Sequence, residues 1–220
     1  MPVAGTDAPP FNTQMKLISN HPAFPRIWNL VQDVLGAPRF KEELYRSKLT
    51  PPGRLLDFGC ANGHISDAFR GFEYYGVDLD LAAIAAAKGR YSDRPDMHFL
   101  AADLRTRPFP GGFFDEILFA GTVHHLDDEL LRDLLAELHY CLKPGGKVHL
   151  FDPVFQKSDR WPQKLMRRID RGRYTRTLAE ILAIVRPLGL FECGDPSFHR
   201  PYGALLQDCD FLYLPLAKGG

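Results

Sequence analysis

The stretch that decides the fold is Arg54-Leu55-Leu56-Asp57-Phe58-Gly59-Cys60-Ala61-Asn62-Gly63-His64. A short apolar run that ends on a carboxylate and breaks into closely spaced small residues is a buried strand turning sharply. Glycines at such a turn let the backbone come close to a ligand. A nicotinamide or flavin site of the G-x-G-x-x-G kind wants a third glycine at position 64 to pack the following helix, and a pyrophosphate on that helix's N-terminus. Position 64 is His64, and Asp57 stands just before the turn. A carboxylate there repels a pyrophosphate and tolerates a cation, such as a sulfonium carrying an ammonium group.

Outward from this turn, short apolar runs alternate with helical patterns. RLLDFGC, YYGVDLD, MHFLAADL, FDEILFAG and KVHLFDPV read as strands, with LAAIAAAKGRY and DDELLRDLLAELHYCLK as covering helices between them. Alternation of this kind predicts a parallel sheet covered on both faces. Towards the C-terminus TLAEILAIVRPL reads as a helix, and FECGDPSFHR and ALLQDCDFLYLPL as two strands joined by Pro201-Tyr202-Gly203. So short a join requires an antiparallel pair. The expectation is an α/β, doubly wound, mostly parallel seven-stranded sheet with helices on both faces and an antiparallel last strand. Residues 1–50 form a loose arm and a helical cap, in which PRIWNLVQDVLG and PRFKEELYRSKL each open on a proline suited to a first helical turn. Residues 51–220 form the main domain, with a basic helical insertion at about 157–176.

Composition narrows the function. With 220 residues, one well-buried core is expected. Lys plus Arg and Asp plus Glu both total 27, so the molecule carries no net field to draw in nucleic acid. Cys60, Cys141, Cys193 and Cys209 are widely spaced and form no CxxC pair, which reads as reduced structural thiols. No His, Cys or carboxylate set has metal-ligand spacing, so no metal is expected. The N-terminus lacks a basic start followed by an apolar run, and no stretch of about 18 apolar residues occurs, which makes the cytoplasm the expected location.

Further strand ends carry chemistry. YYGVD puts the Asp78 carboxylate at the tip of the second strand about 20 residues after the turn, where two acceptor oxygens can grip ribose hydroxyls. The third strand ends Ala101-Ala102-Asp103-Leu104, and the fourth runs through Phe119 into Ala120-Gly121-Thr122. From Arg54 to Asp152, roughly half the chain, these segments resemble the class I, Rossmann-like S-adenosylmethionine-dependent methyltransferases. LLDFGCANG is similar to their first motif, GVDLD to the second, AADL to the third, FDEILFAGTVHHL to the fourth and LKPGGKVHLFDP to the fifth. Ala61 stands where that family usually has its middle glycine. The resemblance implies S-adenosylmethionine as cofactor. Gly59, Ala61 and Gly63 would flank its methionine part, Asp78 with Leu79 beside it would take the ribose, and Asp103 with the Leu104 amide would meet the adenine. The backbone at Phe119 and Ala120 would border the sulfonium, and Asp57 is either a direct ligand or an anchor of the turn.

Methyl transfer from a sulfonium is an in-line displacement, so the protein mainly positions the acceptor and excludes water, an effect contributing up to roughly 7–11 kcal/mol. A general base matters only for an acceptor that must lose a proton. His124 is the candidate base, His125 a lesser one, and His124 is equally an anchor of its loop. Asp152 either binds an acceptor hydroxyl or caps the next helix. The acceptor is read as a small molecule. From Lys157 to Arg176 there are eight basic and two acidic residues, and in a helix from about Pro162 the cations Arg160, Lys164, Arg167, Arg168 and Arg171 share one arc. Three readings stay open for it: a solvated face, a lid over an anionic acceptor, or a peripheral contact of helix 160–171 with acidic lipid. Nucleic-acid methylation is disfavoured, because Ala120-Gly121-Thr122-Val123 replaces the Asn/Asp-Pro-Pro-aromatic run that holds base amines. A non-catalytic cofactor-binding scaffold is the rival from another class.

Overall fold

The structure is a computed structural model that describes residues 37–154, 174–199 and 211–220. The expected arm, the helix PRIWNLVQDVLG and all of the basic insertion up to residue 173 lie outside the described residues, as does the join at 201–203.

The chain runs α1 (Ala37–Arg46), β1 (Gly53–Phe58), β2 (Phe72–Asp78), α2 (Leu81–Arg90), β3 (Met97–Ala101), β4 (Phe114–Ala120), α3 (Asp128–Cys141) and β5 (Leu142–Pro153). It continues with α4 (Leu178–Val185), β6 (Glu192–Cys193), β7 (Ser197–His199) and β8 (Phe211–Ala217). The sheet order is β3-β2-β1-β4-β5-β8-β6, with β7 also on β8. Strands β1 to β5 pair in parallel, and β8 is antiparallel to β5, β6 and β7. The expected doubly wound sheet with an antiparallel last strand is therefore present.

Both faces are covered because neighbouring residues along each strand feed different cores. Leu56, Ile117, Phe119, Val148 and Leu150 pack under α3 and α4, whereas Leu55, Leu118 and Phe151 join Tyr45 of α1 and Ile84 of α2 on the other face. α3 starts where the Asp127 side chain accepts from the Leu130 amide at 2.9 Å, and it buries Leu131, Leu134, Leu135, Leu138 and Cys141, a stripe at helical spacing. α4 starts on a Thr177/Glu180 capping box.

FECGDPSFHR, read as one strand, is two pieces separated at Gly194–Pro196. The Pro215 carbonyl of β8 accepts from the Gly194 amide, so the N–H that Pro215 lacks is missing from this same side of the ladder. With Pro196 also unable to donate, pairing cannot run unbroken. The two pieces occupy one position beside β8, so the eight strands among the described residues fill seven rows.

The chain builds β1, β2 and β3 outward in one direction and returns to build β4 and β5 in the other. The crevice outside the carboxyl ends of β1 and β4 lies at this reversal, the place where open α/β sheets bind ligands.

Candidate active site

The turn after β1 is held by β2. The Gly59 and Cys60 amides both donate to the Val77 carbonyl, at 2.8 and 3.2 Å. Gly59 sits at φ +85°, and a Cβ there would come within 2.6 Å of the Thr122 Oγ1, so the position admits no side chain without displacing the loop after β4. Ala61 also has positive φ, at 48°, in the region that favours glycine. Its amide donates to the Asp78 Oδ2 at 2.9 Å, while the Asp80 amide donates to the Asp78 Oδ1 at 3.0 Å. The Asp78 carboxylate is thus fixed in plane by one backbone donor on each oxygen, and each oxygen keeps a lone pair for a further donor. The left-handed strain of an L-residue is about 1–2 kcal/mol. Ala61→Gly should therefore raise stability by about 0.5–1 kcal/mol, and a lowered melting temperature would count against strain at this turn.

Gly59, Asp78 and Leu79 form one side of a cleft of about 170 Å³, with Asp103, Leu104 and Thr122 among its other lining residues. Leu126, Leu130 and Leu134 close its apolar wall from the α3 side. Leu79 is 71% exposed at the lip. Asp103 accepts from the Arg105 amide and, on both oxygens, from the Arg105 guanidinium at 2.6–3.0 Å. These bonds hold its carboxyl below the usual carboxylate range.

Asp57 lies deeper. It is buried and accepts from the Tyr74 hydroxyl at 2.6 Å, which is itself 2.7 Å from the Ser66 hydroxyl. Burial pushes its carboxyl up to about 6, although the Tyr74 bond pulls the other way. Gly63, at φ +66°, backs onto Tyr91, Phe99 and Ala87. The Phe119 ring is fully buried, and Ala120 is half-buried at the end of β4. The structure thus brings Gly59, Asp78, Leu79, Asp103 and Leu104 to one cavity wall. Ala61 shapes the turn from behind, and Asp57 lies beneath it.

After β4, Val123–His125 form one short helical turn. The His124 Nδ1 lies 2.9 Å from the Asp152 Oδ1 at the end of β5, and both side chains are nearly closed to solvent, 6% and 2% exposed. Asp152 faces His124 directly, a pairing that no spacing or motif in the chain announces.

Thr122, Leu126, Leu130 and Leu134 were not singled out by sequence reasoning; their signals are a strand-end hydroxyl and one stripe of an ordinary amphipathic helix. Arg176, counted with the basic insertion, is corrected by the structure. It is 7% exposed and ion-paired with Asp128 at 2.6 Å, so it belongs to the core beneath the loop and not to a solvated basic face.

Known proteins share this architecture. Residues 55–146 match the family described as methyltransferase domain. The chain is 25% identical over 144 residues to the phosphoethanolamine N-methyltransferase of Plasmodium falciparum, a match covering 64% of this chain and 54% of that protein. It is 31% identical over 122 residues to phosphoethanolamine N-methyltransferase 1 of Zea mays, covering 53% and 24%. The chain therefore spans about a quarter to about half the length of these relatives. Among solved structures, a Burkholderia thailandensis 1,6-didemethyltoxoflavin-N1-methyltransferase with bound S-adenosylhomocysteine superposes with a TM-score of 0.67 at 20% identity, covering 100% of this chain and 94% of that one. A methyltransferase from Methanosarcina mazei gives 0.65 at 17% identity, covering 80% and 97%. The glycine turn, the carboxylates at the tips of β2 and β3 and the sheet order agree with these likenesses: residues 55–146 match a methyltransferase domain, and the whole is built on a Rossmann-like fold.

Proposed function

We propose that this chain transfers a methyl group from S-adenosylmethionine to a small-molecule acceptor. The observation that carries the reading is the Asp78 carboxylate, fixed by two backbone amides and left with lone pairs toward a cleft that also holds Asp103. That geometry fits a nucleoside bearing a cationic tail. Asp78 supplies two acceptors for vicinal hydroxyls, and Asp103, by giving up part of its contact with the Arg105 guanidinium, supplies an acceptor for an exocyclic amino group. Leu79, Leu104 and Leu126 offer apolar surface for a flat ring, and the Cβ-free Gly59 lets Thr122 pack directly on the turn that lines the cleft. The cofactor, when bound, supplies the methyl group and its sulfonium leaving group.

The residues of the chain position the reactants and keep water out, which is most of what an in-line displacement asks of a protein. Where the acceptor must lose a proton, His124 takes it. With Asp152 accepting from Nδ1–H, the neutral ring carries its lone pair on Nε2. An acceptor bearing an anionic group is favoured by the basic run from Lys157 to Arg173 and by kinship with enzymes named for phosphoethanolamine.

Titration calorimetry with S-adenosylhomocysteine should give micromolar affinity, on the order of −8 kcal/mol. A mass-spectrometric screen of small acceptors, with amino alcohols and their phosphates included, should then show the gain of one methyl group without added metal. Failure to bind either form of the cofactor overturns the proposal. Binding without turnover of any acceptor leaves the scaffold reading in its place.

A further inference from the structure

We infer that Arg176 is a positioning residue that holds the cleft-forming shape of the loop Thr122–Leu126; the inference rests on the function proposed above. That loop supplies Thr122 and Leu126 to the cleft wall and carries His124, yet its own regular structure is a single short turn at Val123–His125. Too few internal hydrogen bonds exist in one such turn to fix three side chains.

The missing bonds come from residues far along the chain, just before α4. The Arg176 Nη1 donates to the Val123 and Tyr174 carbonyls, each at 3.1 Å. Its Nη2 donates to the Leu126 carbonyl at 2.7 Å and to the Asp128 Oδ1 at 2.6 Å, and its Nε reaches the same carboxylate oxygen at 3.1 Å. The Tyr174 amide adds a bond to the His124 carbonyl at 2.9 Å. Three backbone carbonyls of the loop, those of residues 123, 124 and 126, are therefore engaged by Tyr174 and Arg176.

The choice of a buried guanidinium is costly. It lies beside the N-terminus of α3, whose dipole repels a cation, and an apolar residue would fill the space without desolvating a charge. What only a guanidinium provides is a planar fork with five fixed donors, able to set two carbonyls of one loop and one carboxylate of the next helix at defined angles. Asp128 neutralises the charge, and the fork fixes the backbone. The consequence reaches the cleft because Thr122 and Leu126 line it together with Gly59, Asp78 and Asp103, and Thr122 packs directly on the Gly59 turn.

The test compares wild type with Arg176→Lys, which keeps the charge but loses the fork, at a temperature well below both melting points and with far- and near-ultraviolet dichroism confirming the fold. Affinity for S-adenosylhomocysteine should drop about tenfold or more, and the acceptor's kcat should fall further than its KM rises, since misplaced side chains spoil alignment more than capture. Guanidinium ion at millimolar concentration should restore part of the loss in Arg176→Ala. A lowered melting temperature with unchanged affinity and kcat would reduce Arg176 to a structural tie and overturn the inference. Should neither variant fold, hydrogen exchange on the wild-type protein decides. Addition of S-adenosylhomocysteine should protect residues 122–128 and 174–177 together, and protection of the first segment alone refutes the coupling. Wild type that binds no cofactor at all defeats the functional proposal itself, an outcome distinct from wild type and Arg176→Lys binding equally.

Discussion

Asp78→Ala should weaken binding of S-adenosylhomocysteine by about 1–3 kcal/mol, a loss of roughly five- to 150-fold, through the charge-assisted bonds it removes. The upper end is expected because the side chain does two things at once. It offers acceptors to the ligand, and its Oδ2 anchors the Ala61 amide, which keeps the turn at its positive φ. Asp78→Asn should do nearly as badly. Each oxygen faces a backbone N–H, so the amide NH2 must confront either the Ala61 or the Asp80 donor. Calorimetry on both variants, with dichroism to show that they fold, checks this. An asparagine variant of wild-type affinity would mean that the carboxylate does not touch the ligand.

A second large effect is expected in the pH dependence of stability, where two buried groups act in opposite senses. His149, in β5, is 2% exposed, with its Nδ1 3.2 Å from the Tyr213 hydroxyl and its Nε2 buried without a hydrogen bond, 3.5 Å from a Glu116 oxygen. Burial, helped by Lys147 and Lys48, depresses its pKa to about 4. A depressed histidine contributes stability that is present above its unfolded value of about 6.5 and is lost as the pH falls through about 4. Asp57, raised to about 6, contributes stability that is present below its unfolded value of about 3.9 and is lost as the pH rises through about 6.

Between about pH 4 and 6 the two slopes oppose each other, each with a full extent on the order of 3 kcal/mol. Removing one should expose the other. The stability difference between wild type and His149→Leu should grow in favour of the variant as the pH falls from 6.5 to 4, while for Asp57→Asn the difference should move in favour of wild type over the same range. Urea melts of the three proteins at half-unit pH intervals would show it, and differences that stay flat with pH would rule out the buried titrations.

In the parallel half of the sheet β1, β4 and β5 were legible because their central residues are buried on both faces and so read as apolar runs, as in Ile117-Leu118-Phe119, while β2 and β3, which alternate, show shorter apolar stretches. Asp78 and Asp103 were legible for a related reason: a carboxylate that follows such a run must lie at the strand's carboxyl tip. What lay hidden was every feature whose partner is backbone or distant in sequence. Arg176 reads as one more cation in a basic run, because most of its partners are backbone carbonyls, which any sequence would possess, and its one carboxylate partner, Asp128, lies 48 positions away. His124 and Asp152 sit 28 positions apart, and only the β4–β5 register joins them. Gly59 reads as a close approach, but the neighbour it spares is Thr122, across the reversal of the sheet.

The position of β8 bears on how the molecule comes together. It follows every other strand in the chain, yet it lies between β5 and the β6/β7 row, with Leu212, Leu214 and Leu216 fully buried. During synthesis the outer edge of β5, with its run Val148 to Phe151, stays open until residues 211–217 emerge, and β6 and β7 have no strand to pair with before then. Closure of the sheet is therefore a late, long-range event that the parallel half cannot complete alone, and an open hydrophobic edge is what invites pairing with another chain. A form clipped before residue 211 would keep the glycine turn and the carboxylates at the tips of β2 and β3 and still present an open edge, so removal of a strand that carries none of the chemistry is expected to promote pairing with other chains.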